Sequence, residues 1–246
     1  MIEIFEPLNR LRLYGIKESL DYRLNDASQA NLGHREFLQS LLEDEVIYRK
    51  NKLSERLRKR AKFRDSVNIE DFEASRERGI TKTALKGLNG LHFLDRFQNL
   101  IFIGGTGAGK TFLAQGIGHL CCREGYEVYF SSVNLLFEEV MAQKAAGKYL
   151  DFIKKLKRAK VLILDDFGLR KYSHPEANTL YDILEERYNK GSVIVTSQVK
   201  PLGWKSLFED EVIAEAILDR LISNSQEYLI TGPSFRKKQG EIGVKN

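Results

Sequence analysis

Eight consecutive residues, Gly104-Gly105-Thr106-Gly107-Ala108-Gly109-Lys110-Thr111, satisfy the pattern GxxxxGK[ST] at every specified position. Each residue type there has a chemical use. Glycines let backbone amides approach phosphate oxygens closely, and a following helix N-terminus adds free N–H groups and a favourable dipole. Lys110 is placed to reach β- and γ-phosphates, and the Thr111 hydroxyl to ligate Mg2+. The bland alternative is a glycine-rich turn between a strand and a helix. The context opposes it: the apolar run Leu100–Ile103 precedes the motif, and an apolar-periodic stretch through Phe112, Leu113, Ile117 and Leu120 follows.

A second feature lies downstream. Val161-Leu162-Ile163-Leu164 ends in Asp165-Asp166, two carboxylates at the end of a buried-type strand. We expect this strand beside the phosphate-loop strand, with both acids at the carboxyl edge, where open α/β sheets bind ligands. Asp165 then holds magnesium directly or through water, and Asp166 orients or deprotonates an attacking water. The alternative is a pair of acids closing a strand–turn junction.

The elements that must position these groups are readable from hydrophobic periodicity. Beyond residue 95, short apolar runs (Leu100–Ile103, Val128–Phe130, Val161–Leu164, Val193–Val195) alternate with helical stretches near 110–122, 134–142, 148–158, 176–189 and 211–222. Tyr228–Ile230 reads as an edge strand. Such alternation predicts an α/β fold: a parallel sheet with helices on both faces. The first 65 residues read as a small helical domain. Gly15 is expected to break its first helix, and a longer helix over 35–62 carries a stripe through Phe37, Leu38, Leu41, Leu42, Val46, Leu53 and Leu57. Residues 66–80 read as a linker with Gly79 as a hinge, and 81–246 as the α/β domain.

Of the 246 residues, 42% are hydrophobic and 30% charged, the composition of an ordinary globular chain. No apolar run has the length of a membrane span, and Met1-Ile-Glu-Ile-Phe-Glu lacks a signal-peptide pattern. Cys121 and Cys122 are adjacent, which suits neither a relaxed disulfide nor a metal cluster. A cytoplasmic location follows as the expectation. Net charge is +5, yet the run from Arg49 to Arg64 alone holds nine bases (Arg49, Lys50, Lys52, Arg56, Arg58, Lys59, Arg60, Lys62 and Arg64) against one acid, Glu55. It reads either as a solvated helix face or as a phosphate-neutralising surface. Unopposed charge favours the second, because solvated helices mix signs for i,i+4 pairing. Lys144, Lys148, Lys154, Lys155, Lys157 and Arg158 form a second basic stretch, interleaved with Tyr149 and Phe152. No signature of base-specific reading is present.

Four features taken together resemble one family. The phosphate loop, the Asp165-Asp166 strand, Val193-Ile-Val-Thr-Ser-Gln198 and Ala214-Glu-Ala-Ile-Leu-Asp-Arg220-Leu are similar to the DnaC/IstB group of AAA+ ATPases, nearest to IstB-like transposition helpers. The resemblance covers about residues 80–240 and implies an AAA+ fold, ATP with Mg2+, and hydrolysis. Asp166 stands where most AAA+ proteins have a glutamate and is one methylene shorter, which implies slow, partner-dependent turnover. Thr196-Ser197-Gln198 matches the sensor that meets the γ-phosphate or its water, with Ser197 and Gln198 as the candidate side chains. Arg220 matches the arginine finger, with Arg187 as its rival, and Arg236 is the convenient candidate for a second sensor arginine. The implied partners are duplex DNA, a transposase and further copies of the chain. A helicase loader and a non-catalytic ATP-switched scaffold remain as alternatives.

Overall fold

The computed structural model describes residues 4–232. Five strands form one sheet: β1 (Asn99–Gly104), β2 (Val128–Ser132), β3 (Val161–Phe167), β4 (Ser192–Ser197) and β5 (Ser225–Ile230). Their order is β2-β3-β4-β1-β5, and every pairing is parallel. The first four strands are buried along almost their whole length, as near-continuous apolar runs require when both faces are covered. β5 closes one edge and is mostly exposed or half-buried, with Ile230 buried.

This order corrects one expectation. The acidic strand β3 does not lie beside the phosphate-loop strand β1; β4 is inserted between them. The physical reason is that β1, β3 and β4 are equally apolar, so strand composition does not specify neighbours.

Helices α5 (Lys110–Arg123), α6 (Val133–Ala145), α7 (Tyr149–Arg158), α8 (His174–Arg187) and α9 (Glu211–Ile222) cover the sheet. Ile101, Ile103, Leu162, Leu164, Val193 and Val195 face a core built with α6, α7, α8 and α9. The alternate residues point to the opposite face. There α5 lies so near β3 that a Cβ on Gly118 would meet Ile163 Cδ1 at 2.9 Å.

The chain divides into two compact units, Met1–Arg56 with Arg123–Gly125, and Leu57–Cys122 with Tyr126–Asn246. In the first, α1 (Phe5–Arg10), α2 (Tyr14–Ala30) and the N-terminal part of α3 (His34–Ala61) pack around Leu8, Ile16, Leu20 and Leu41. Gly15 does not break α2. It lies in the first turn, where its amide and that of Ile16 donate to Glu45 Oε2 at 2.6 and 3.2 Å, so a side chain from α3 caps α2. Arg23 pairs with Asp44 through two hydrogen bonds of 2.8 and 2.7 Å. Of the stripe expected on α3, Leu41 and Leu57 are buried, whereas Leu38, Leu42 and Val46 are exposed.

In the second unit the stretch 66–80 is packed rather than loosely strung. Ile69, Phe72 and Ile80 are buried, and a Cβ on Gly116 would meet the Ile69 backbone at 2.9 Å. Gly79 is not a hinge. Its φ is +77°, and a Cβ there would lie 1.7 Å from the Leu229 carbonyl, so glycine serves a close approach to β5. The next helix, α4 (Lys82–Asn89), is capped by Thr81, whose hydroxyl accepts from the Ala84 amide at 3.1 Å.

Candidate nucleotide site

The phosphate loop joins β1 to α5. Gly107 and Gly109 adopt φ of +77° and +102°, conformations that L side chains rarely take. Lys110 is nearly buried, and its Nζ donates to the carbonyls of Gly104 and Gly105 at 2.9 and 2.8 Å, which holds the cation inside the loop. Arg78 Nη2 donates to the Ala108 carbonyl at 3.0 Å, fixing the outer curve of the loop. The pocket beside it, about 540 Å³, is lined by Asp65, Val67, Asp71, Phe72, Gly107, Gly109, Lys110, Thr111, Phe112 and Gln115.

Although β4 separates β3 from β1, Asp165 reaches the end of the loop. Thr111 Oγ1 donates to Asp165 Oδ1 at 2.8 Å, and Thr196 Oγ1 donates to the same oxygen at 2.6 Å. Asp165 is fully buried, and burial pushes its carboxyl pKa up, against the two hydroxyl donors and the nearby Arg64 cation. Its second oxygen, Oδ2, is buried and accepts no hydrogen bond, while Arg64 Nη1 stands 3.8 Å away. A buried carboxylate oxygen left open beside a threonine hydroxyl suits a hard divalent cation. Thr111 and Asp165 therefore fit Mg2+. No cluster of three or more His, Cys, Asp or Glu occurs among the described residues, so the remaining ligands would be nucleotide oxygens or water.

Asp166 follows with φ +59°, in the left-handed region, at a register irregularity between Leu164 and Phe167. Its amide donates to Thr196 Oγ1 at 3.0 Å, so one hydroxyl locks both acids. Gln198 Oε1 accepts from Thr106 Oγ1 at 3.1 Å, linking the end of β4 to the phosphate loop.

Other expected site residues go elsewhere. Ser197 is buried; its hydroxyl donates to the Phe167 carbonyl at 2.8 Å and lies 3.1 Å from the Val199 amide and 3.3 Å from Trp204 Nε1. Thr196, not Ser197, meets the acids. Arg187 is 1% exposed and donates to the carbonyls of Leu156, Ala159 and Ser192; burial pushes its pKa down to about 10. A side chain so enclosed has no reach to a neighbouring subunit. Arg220 is partly exposed, bonded to Glu185 and to the Ala216 carbonyl, with its guanidinium 4.8 Å from the Tyr181 ring centre. Arg236 lies outside the described residues.

The basic run is less unopposed than its own sequence implies. Arg49 pairs with Glu45 at 2.7 Å, Lys50 with Glu124 at 3.0 Å, Lys52 with Glu55 at 3.9 Å and Lys62 with Glu139 at 3.4 Å. Arg56, Arg58, Lys59 and Arg60 are exposed. In the second basic stretch Lys144 lies 4.8 Å from the Tyr149 ring, Lys148 precedes α7, Lys157 pairs with Glu186 at 2.6 Å, and Phe152 is core.

Sequence reasoning missed two arginines at the loop. Arg64 was visible only as one more base in a run, and Arg78 lay in the stretch read as a linker. The available signal was Gln115, a side-chain amide one turn beyond Thr111 on the P-loop helix, whose Oε1 accepts from the Arg64 and Asp65 amides at 2.8 and 3.1 Å.

Sheet order, phosphate loop and paired acids define a P-loop protein of the AAA+ class. Two solved structures share this fold: the DnaC helicase loader (TM-score 0.56, 21% identity, 67% of this chain and 97% of that one) and AMPPCP-bound DnaA from Aquifex aeolicus (TM-score 0.58, 18% identity, 74% and 56%). Within that class the chain belongs to the IstB-like ATP binding protein family, whose model matches residues 7–242. Among its relatives, one from Mycobacterium tuberculosis, named for ATP binding in an insertion sequence, is 35% identical over 94% of this chain and 93% of its own length. Another, from Pseudomonas aeruginosa and named for ATP binding in insertion sequence IS21, is 33% identical over 97% and 90%. No helix among the described residues is long and apolar enough to cross a membrane.

Proposed function

We propose that this protein binds and slowly hydrolyses ATP, oligomerises on duplex DNA, and assists a transposase in target-site selection and strand transfer. The observation that carries the nucleotide part is the convergence of Lys110, Thr111, Asp165, Asp166 and Thr196 at one end of the sheet. Family membership supports the transposition part, because the relatives cited are named for insertion sequences. The same names favour a transposition helper over a helicase loader; likeness to the loader is at the level of fold.

In this reading Lys110 exchanges the Gly104 and Gly105 carbonyls for phosphate oxygens. Thr111 and Asp165 would hold Mg2+, which when bound would supply charge neutralisation to the phosphates. Asp166 orients the attacking water and takes its proton; the short side chain and the Thr196 lock on its backbone restrict its reach, which suits slow turnover. Gln198, bonded to Thr106, senses the terminal phosphate. Arg220 acts as the finger at the next subunit's site once its Glu185 pairing is given up on assembly. Residues 1–65 form the DNA- and partner-binding part, with Arg56, Arg58, Lys59 and Arg60 as its principal phosphate contacts.

The test is nucleotide binding and turnover in two variants. Lys110→Ala is expected to lose tight ATP binding, and Asp166→Asn to keep binding while hydrolysis slows. Parental hydrolysis in both variants would refute the site.

A further inference from the structure

The two oxygens of Asp165 are unlike. Oδ1 takes both threonine hydroxyls, whereas Oδ2 accepts no hydrogen bond and faces Arg64 Nη1 at 3.8 Å. Arg64 lies only three residues past the end of α3, yet its backbone is anchored over α5. The Arg64 and Asp65 amides donate to Gln115 Oε1, and Gln115 Nε2 returns to Asp65 Oδ2 at 3.3 Å. Gln115 is 1% exposed and stands one turn beyond Thr111. On the other side, the Phe63 ring packs against His119 with centroids 4.1 Å apart and the planes tilted by 37°. The guanidinium itself lies 5.7 Å from the Phe130 ring, and its side chain is 46% exposed. Arg64 is thus a cation on a fixed base, with its outer atoms able to turn.

We infer that Arg64 is a γ-phosphate-binding arginine acting within its own subunit, so that this chain distinguishes ATP from ADP before any neighbour supplies a finger. The inference rests on the ATP reading above. A planar guanidinium bonds paired phosphate oxygens in its plane, a stronger arrangement than one carboxylate oxygen at 3.8 Å. When ATP binds, the terminal phosphate offers Arg64 such paired oxygens, and the guanidinium turns to them from Asp165 Oδ2. With a diphosphate there is no terminal phosphate to receive it, and the guanidinium stays with Asp165. Arg64 is therefore a binding and positioning group; the proton transfer remains with Asp166.

The test is calorimetric titration of ATP and of ADP, each with Mg2+, into the full chain, Arg64→Ala, Arg64→Lys and Lys110→Ala. Removing a charge-assisted hydrogen bond to phosphate should weaken ATP binding by Arg64→Ala about tenfold and leave ADP affinity within about twofold. Arg64→Lys should fall between, because it keeps the charge and loses the planar fork. A parental ratio of ATP to ADP affinity in Arg64→Ala overturns the inference. Equal loss of both nucleotides overturns it as well, since that marks damage to the loop. Thermal melts accompany the titrations. If the alanine variant melts early, the lysine variant decides: a reduced ATP preference supports the inference, and a parental one overturns it. Lys110→Ala separates the two levels of argument. Parent-like binding of both nucleotides there refutes the ATP site itself, whereas loss there with an unchanged ratio in the Arg64 variants refutes only the role of Arg64.

Discussion

The Thr196 hydroxyl donates to Asp165 Oδ1 at 2.6 Å and accepts the Asp166 amide at 3.0 Å. One side chain on β4 thereby holds both acids of β3, including the residue with φ +59°. A left-handed non-glycine residue costs about 1–3 kcal/mol and persists only where its surroundings enforce it.

Thr196→Val tests that lock. The shape is nearly kept, but a buried carboxylate oxygen loses a donor and a backbone amide loses its acceptor. Stability should fall by about 1–3 kcal/mol in urea unfolding, the cost of groups left unpaired. Turnover should fall more than ATP affinity, because the change displaces Asp166 and spares Lys110. Equal losses in both would place Thr196 in binding instead.

The two candidate fingers separate by burial. Arg187→Leu should destabilise the fold by about 3–5 kcal/mol, since it leaves several buried carbonyls unpaired. Arg220→Ala should unfold near the parental midpoint, keep ATP binding, and lose DNA-stimulated turnover. Mixing Arg220→Ala with Asp166→Asn should restore part of that turnover if the finger works between subunits. Glu185→Gln is the control, as it removes the intrachain partner of Arg220 and should leave turnover intact.

A pH dependence is built into α8. Hydrogen bonds from Arg170 and the Ser173 cap hold the Glu176 carboxyl down at about 2. A depressed carboxyl stabilises the fold above its unfolded value, and that contribution is lost as pH falls toward the folded value. Glu176→Gln should therefore cost about 1 kcal/mol at pH 7. The gap from the parent should shrink as pH drops from near 4.5 toward 2, measured by urea unfolding at several pH values.

On α3, replacing Arg56, Arg58 and Arg60 by Glu should weaken duplex binding and flatten its salt dependence. For every phosphate that is no longer neutralised, the slope of log affinity against log salt becomes shallower by about 0.9. ATP affinity should survive. Fluorescence anisotropy across a salt series decides it, and unchanged slopes would move the DNA surface to the Lys144–Arg158 stretch.

Much of the site was legible because its chemistry is contiguous in the chain. The loop glycines, Lys110 and Thr111 lie within eight residues, and backbone conformation plus one helix start is enough to aim them. The Asp165-Asp166 pair was legible for the same reason, as was each buried strand, since a run of Val, Ile and Leu bounded by polar residues leaves little else.

Side-chain partners drawn from distant segments were not legible. Equally apolar strands do not encode which neighbour each pairs with, so only the folded sheet put β4 between β1 and β3 and brought Thr196 rather than Ser197 to the acids. Within the run from Arg49 to Arg64 only Glu55 is acidic, whereas Glu45 precedes the run on the same helix, and Glu124, Glu139 and Asp165 come from other segments. Burial made Arg187 structural, and the Gln115 anchor made Arg64 a neighbour of the nucleotide site. The sequence determined which groups could bind phosphate; packing decided which cations and hydroxyls stand against them, because burial and approach depend on residues far apart in the chain.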